Sequence, residues 1–287
     1  MADGVVGVIG LGQMGSQIAL LSALRGFETR VYDVAPGAAE RFLRWTDSYL
    51  RDRTEKGKIE PGVADQTRSR LSAQSSVKDC AGPADFVVEA VAEDVRVKRA
   101  VFTEADRATA AAHLFTNSST IVSSKLIDGL VHPERVCNVH FFNPALVMDL
   151  VEVVRGLHTS DATITAAMDF ARSLGKTPVL LKKEVRGFAV NRVLDSIWRE
   201  SLYLVENEVI SVEDLDTAIT KGLGHPMGPF RLMDLVGIDL VYSTQMDAYK
   251  ETGDERLAPS HLLVTKIENG ELGKKSGRGW YSYQQTT

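Results

Sequence analysis

The stretch VVGVIGLGQMG, residues 5–15, decides how this chain is read. Val5 to Ile9 form a short β-branched run of the kind found in buried strands. Gly10, Gly12 and Gly15 interrupt it, and SQIALLSALRG (16–26) continues with helical spacing as far as Gly26, a natural C-cap residue. A strand, a glycine turn and a helix in that order open a βα unit. Each glycine meets a separate demand: Gly10 a tight turn, Gly12 close approach of the backbone to a pyrophosphate, Gly15 close packing of helix on strand. Gln13 and Met14 fall in the first helical turn, whose unpaired N–H groups and positive dipole end favour phosphate.

The second strand, ETRVYD (28–33), ends in Asp33, and 33 − 10 = 23 positions separate it from Gly10. A carboxylate at about that spacing meets the ribose hydroxyls of a dinucleotide. It repels the 2′-phosphate of NADP, so NAD is the expected cofactor. Further strands are expected at DFVVEA (85–90), HLFTNS (113–118), RVCNVH (135–140), LVEVV (150–154) and TPVLL (177–181), with a helical arm near 38–60. Alternation of strands with helices predicts an α/β unit over 1–184, with a doubly wound, mostly parallel sheet of Rossmann type. From 185 to 287 the strand-like runs stop, and helical periodicity through GFAVNRVLDSIWRESLYLVENEV, SVEDLDTAITKGLG and GPFRLMDLVGIDLVYSTQMDAYKE predicts an all-α C-terminal domain. Ser211 with Asp214 reads as a capping box.

Composition narrows the function. The chain has 287 residues, 25% charged, with a net charge of −5, which argues against a nucleic-acid or polyanion binder. Two cysteines, Cys80 and Cys137, fit a reduced compartment rather than a disulfide framework. MADGVVGVIG has no basic leader or cleavage site, and no apolar run approaches the roughly 18 residues of a membrane span. A cytoplasmic chain without a membrane or metal role is expected.

Polar residues gather at the carboxyl ends of the expected strands, where ligands of such sheets sit. They are Glu89 and Glu93 in EAVAED, Asn117, Ser118 and Ser119 in TNSS, and His140 with Asn143 in HFFNP. Glu152 stands inside an apolar strand, where an unpaired carboxylate is costly, and a histidine partner removes that cost. The blocks FVVEAVAEDVRVK (86–98), TNSS (116–119), HFFNP (140–144), VEVV (151–154), GFAVNR (187–192), GLGHPMGPF (222–230) and GKKSGRGWYSY (273–283) together resemble the L-3-hydroxyacyl-CoA dehydrogenases. That resemblance covers nearly the whole chain. It implies His140 as general base for the 3-hydroxyl proton and Glu152 as the group that orients it. Ser119 and Asn191 would hold the substrate oxygen, with Asn191 supplied by the first helix of the second domain. Glu93, Lys98, Asn117 and Asn143 would line the cofactor, and Lys56 would meet coenzyme A. A homodimer is expected through the helical domain.

Other readings are weaker on the same residues. Ser-His-Glu suggests a hydrolase triad, but no GxSxG elbow occurs. GLGxMG, with Leu11, is a form commoner in 3-hydroxyisobutyrate-type dehydrogenases, which lack HFFNP and use a lysine base. Arg186 stands where the family has proline, and Tyr49 where some relatives carry a small polar residue that touches coenzyme A. These departures leave open an acyl group carried on an acyl carrier protein. A free hydroxy-acid dehydrogenase and a non-catalytic NAD-binding protein are the remaining alternatives. His225 reads as a turn residue, and His113, His132, His158 and His261 as exposed loop or helix-end residues.

Overall fold

The computed structural model describes residues 4–283. The chain divides between Ala189 and Val190 into two compact units. In the first, the strands are β1 (Val5–Ile9), β2 (Glu28–Tyr32), β3 (Leu71–Ala73), β4 (Phe86–Glu89), β5 (His113–Thr116), β6 (Val136–Phe141), β7 (Leu150–Val154) and β8 (Thr177–Leu181). They form one sheet in the order β3-β2-β1-β4-β5-β6-β7-β8. Every pair is parallel except β6 with β7. β3 is not among the strands expected from the sequence, because its three residues bury only Leu71 and show no alternation.

Helices α1 (Gln13–Leu24), α2 (Ala38–Glu55), α3 (Pro61–Ser69), α4 (Val77–Ala81), α5 (Val95–Ala108) and α6 (Asp161–Ser173) complete this unit. The arm expected near 38–60 is two helices. Gly57, at φ 64°, ends the first, and Pro61 opens the second at its favoured N-terminal position. Alternation along the strands sends side chains to two faces. Val6, Val8, Val88, Phe115, Val139 and Phe141 pack with Ile18 of α1 and Phe170 of α6. Ile9, Val87, Leu114 and Val136 pack on the other face with Val77 of α4 and Phe102 of α5. Burying one such phenylalanine stabilises the fold by about 1.5–3 kcal/mol. Cys80 and Cys137 are buried free thiols, and burial pushes Cys80 up to about 12.

The second unit contains α7 (Val190–Glu206), α8 (Val212–Gly222), α9 (Pro229–Val236), α10 (Ile238–Thr252) and α11 (His261–Glu268) around Trp198, Leu202, Leu215, Phe230, Met233 and Val241. The run GPFRLMDLVGIDLVYSTQMDAYKE is two helices rather than one, because Gly237 takes φ 104° between them. Ser211 caps α8 by accepting the Asp214 N–H at 3.0 Å. Two buried aspartates bind the final segment to the helices. Asp234 accepts the Trp280 and Tyr281 N–H groups and the Tyr283 hydroxyl, each at 2.9 Å. Asp216 accepts the Phe230 N–H and the Tyr281 hydroxyl, each at 2.8 Å. A Cβ on Gly279 would stand 2.0 Å from the Asp234 carboxylate, so only glycine fits there.

Candidate active site

Strand order reverses between β1 and β4, and the segments that leave their carboxyl ends meet at this switch point. Gly10 has φ 96°, and a Cβ there would lie 2.6 Å from the Ala90 carbonyl oxygen. A Cβ on Gly15 would lie 1.8 Å from the Gly10 carbonyl oxygen, whereas one on Gly12 would meet nothing within 4 Å. Gly10 and Gly15 are thus required by the protein's own packing, while Gly12 opens the loop outward. No side chain caps α1, which begins at Gln13 and Met14, so its first N–H groups remain available to an anion. A cavity of about 930 Å³ opens beside this loop, lined by Gly10, Gly12, Tyr32, Asp33, Ala92 and Val97 among others. The arrangement fits a dinucleotide. Asp33 also braces the loop, because its Oδ2 accepts the Leu11 N–H at 2.6 Å and its Oδ1 the Ala35 N–H at 2.8 Å.

Glu93 and Lys98 belong to a shared network next to this cavity. Lys98, expected to line the cofactor, is only 1% exposed, with its ammonium 2.7 Å from Glu89 Oε1 and 3.1 Å from Glu93 Oε2. Burial keeps its own ammonium from solvent, and of its two carboxylate partners only Glu93 is exposed. Glu89 also accepts the Thr116 hydroxyl and the Val91 N–H, each at 2.7 Å. Burial pushes the Glu89 carboxyl up against the pull of Lys98. Burial pushes Glu93 up as well, but Lys98, Ser118 and Thr120 outweigh it and hold that carboxyl below its ordinary value.

The segment carrying Ser119 is fixed from two sides. Ser118 donates to Glu93, and the Thr120 hydroxyl donates to the same oxygen at 2.8 Å. Opposite them, buried Asn138 donates to the Ile121 carbonyl at 2.9 Å and accepts the Ser123 N–H at 2.8 Å. Asn117 accepts the Phe141 N–H at 2.9 Å, and Asn143 accepts from the Gln13 side chain at 3.2 Å. The Ser119 hydroxyl has no partner among the described residues. Asn138 escaped the sequence reading, although a polar residue two positions before His140 in an apolar strand is a readable signal.

Antiparallel pairing sets His140 of β6 directly opposite Glu152 of β7. Their neighbours Val139, Phe141, Val151 and Val153 face one core layer, so alternation turns His140, Glu152 and Asn138 to the other side of the sheet. His140 Nδ1 lies 3.0 Å from Glu152 Oε2, with the histidine 6% exposed and the glutamate fully buried. An acceptor at Nδ1 assigns the proton to that nitrogen and leaves Nε2 free to take one from a substrate.

The remaining expected residues belong to other elements. Asn191 is the second residue of α7, in the second unit. Lys56 follows α2 and pairs with Asp52 at 2.6 Å, a contact that holds the Asp52 carboxyl below its ordinary value. Tyr49 packs on Trp45 with ring centroids 5.7 Å apart, and the Arg53 guanidinium lies 5.1 Å from its ring. Two histidines differ from the exposed residues expected. His113 begins β5, half-buried against Phe86 and Phe115. His158 lies half-buried near Ser123, whose hydroxyl donates to Glu184 at 2.8 Å.

Residues 5–185 match the model of the 3-hydroxyacyl-CoA dehydrogenase NAD binding domain, and residues 187–283 that of the 3-hydroxyacyl-CoA dehydrogenase C-terminal domain. The chain belongs to the 3-hydroxyacyl-CoA dehydrogenase family. It is 39% identical to a probable 3-hydroxybutyryl-CoA dehydrogenase of Bacillus subtilis, over 98% of this chain and 97% of that one. Identity to the 3-hydroxybutyryl-CoA dehydrogenase of Mycobacterium tuberculosis is 37%, over 99% of this chain and 100% of the relative. The crystal structure of the (S)-3-hydroxybutyryl-CoA dehydrogenase of Ralstonia eutropha is similar with a TM-score of 0.91 at 31% identity, covering 98% of this chain and 99% of that one. As a member of this 3-hydroxyacyl-CoA dehydrogenase family the chain is an oxidoreductase, and NAD is its cofactor.

Proposed function

We propose that the chain interconverts an L-3-hydroxyacyl thioester and its 3-oxoacyl thioester, with 3-hydroxybutyryl-CoA and acetoacetyl-CoA as the working pair. The observation that carries this reading is the His140 Nδ1–Glu152 Oε2 contact of 3.0 Å at the end of β6, within a family defined by that chemistry. Bound NAD supplies the acceptor for the C3 hydrogen and its electron pair. In the oxidation, His140 Nε2 takes the C3 hydroxyl proton as the carbonyl forms. Glu152 offsets the positive charge that the imidazole gains. Ser119 donates a hydrogen bond to the same oxygen, and Asn191 is assigned a second one on the family pattern. Glu93, Lys98, Asn117 and Asn143 serve the cofactor groove, and Lys56 the coenzyme A phosphates.

The first unit is assigned to cofactor binding and the second to substrate binding and homodimer formation. Leu223, Leu235 and Leu240 of the second unit are 67%, 53% and 56% exposed, apolar surface that a second copy would cover. Among the described residues no helix is long and apolar enough to cross a membrane, and a cytoplasmic location is proposed.

The test is NADH oxidation with acetoacetyl-CoA, run beside acetoacetyl groups on an acyl carrier protein and on pantetheine. Turnover is expected with the coenzyme A ester. Turnover with the carrier-bound substrate alone would replace coenzyme A by the carrier protein and keep the chemistry. No turnover with any of the three would overturn the reading.

A further inference from the structure

Phe188 stands in a short connection yet is fully buried, and its backbone takes φ 52°. That left-handed region suits glycine, and a bulky side chain there is held against its preference. Gly187 before it takes φ 72°, so two successive residues reverse the chain and drive the phenyl ring inward. The ring packs on His140 with centroids 5.5 Å apart at 56°, while Phe142 packs on the same imidazole at 4.6 Å and 51°. The next residue acts on the partner carboxylate, because the Ala189 N–H donates to Glu152 Oε1 at 2.9 Å. Both oxygens of Glu152 are therefore engaged, one by the imidazole and one by this connection.

We propose that Phe188 is a positioning residue for His140, and that Gly187–Ala189 acts as one brace on both members of the His140–Glu152 pair. The ring fixes the plane of the imidazole, and the Ala189 amide fixes the carboxylate that receives Nδ1–H. With both held, Nε2 is the one ring nitrogen presented to substrate. A glycine at 188 would remove the backbone conflict; the phenylalanine keeps it and gains an aromatic wall on the histidine. The inference rests on the dehydrogenase reading for its kinetic consequence, but not for its structural one.

The experiment compares the full chain with Phe188→Leu, which keeps an apolar side chain and loses the flat ring. Nitrogen-15 spectra of the histidine side chains, with His140 assigned through His140→Gln, read the tautomer directly. Wild type is expected to hold a single Nδ1–H tautomer, and Phe188→Leu a mixture. In turnover of acetoacetyl-CoA with NADH, Phe188→Leu is expected to lose at least about tenfold in kcat. The NADH dissociation constant should stay within about twofold, which also verifies that the first unit is folded. A tautomer mixture already present in wild type overturns the proposal without any variant, as does a Phe188→Leu enzyme with unchanged kcat and tautomer. If wild type turns over no thioester but holds the single tautomer that Phe188→Leu loses, the brace stands and the assigned reaction falls.

Discussion

One oxygen of Glu152 decides how His140 can act. By taking Nδ1 at 3.0 Å it leaves Nε2 as the nitrogen open to a substrate, so on the proposed reaction glutamine at position 140 removes the base without disturbing the glycine loop. Proton transfer of this kind contributes about 10²–10⁴-fold, and His140→Gln is expected to lose turnover by that order. Its NADH affinity should stay within about twofold of wild type by fluorescence titration; lost cofactor binding would make His140 structural. Asp33 has two tasks on the proposed reading, since it lines the cavity beside the glycine loop and holds the Leu11 N–H at 2.6 Å. Asp33→Ala is therefore expected to bind NADH more weakly and to lower the NADH over NADPH preference by about tenfold or more. An unchanged ratio of the two dissociation constants would remove Asp33 from that site. The places of Asp33 after β2 and His140 near the end of β6 were legible in the sequence, because β-branched runs mark those strands. The burial of Lys98 was not, since Glu89 meets it only after α5 has packed against β4.

At the scale of elements, the final segment of the second unit depends on Asp216 and Asp234. A hydrogen bond to a charged group is worth about 1.5–3 kcal/mol, and Asp234 accepts three of them. Asp234→Ala should destabilise the second unit by about 3 kcal/mol or more, read by urea unfolding followed through tryptophan fluorescence. An unchanged midpoint would show that Trp280 and Tyr281 dock without it. The sequence motifs holding these residues were visible as blocks, but their purpose was not, because the aspartates and the glycines they press on are far apart in the chain. Seven strands were readable from β-branched runs. The missed elements, α3, β3 and α4, and the break at Gly237 are short or locally ambiguous, and tertiary packing decides them.

For the whole molecule, pH reaches stability through two histidines that the sequence reading left at the surface. Burial holds both His113 and His158 below the ordinary histidine value. Each folded residue then takes up a proton less readily than the unfolded chain, whose histidines do so near pH 6.5, so their contribution is present above about 6.5 and declines as pH falls. The urea midpoint should drop between pH 7 and pH 5.5, and His113→Phe, which keeps the stack on Phe86 and Phe115, should flatten that drop. An equal slope in both proteins would remove His113 from the effect. The alternation of strands and helices and the change of pattern near residue 185 were legible over the whole length. The antiparallel turn of β7 was not, because the sequence gives a strand's residues without its direction.

That reversed strand has a consequence for how the chain tolerates inserted or deleted residues. His140 faces Glu152 because the paired positions in β6 and β7 add to a constant, as Asn138 with Val154 and Phe141 with Val151 also do. One residue gained or lost inside β7 would bring Val151 or Val153 opposite His140 and turn the carboxylate to the wrong side. Two would bring Leu150 or Val154. The intervening segment, 142–149, can absorb a change of length at its own cost, whereas β7 has no intermediate setting between a paired base and a bare imidazole.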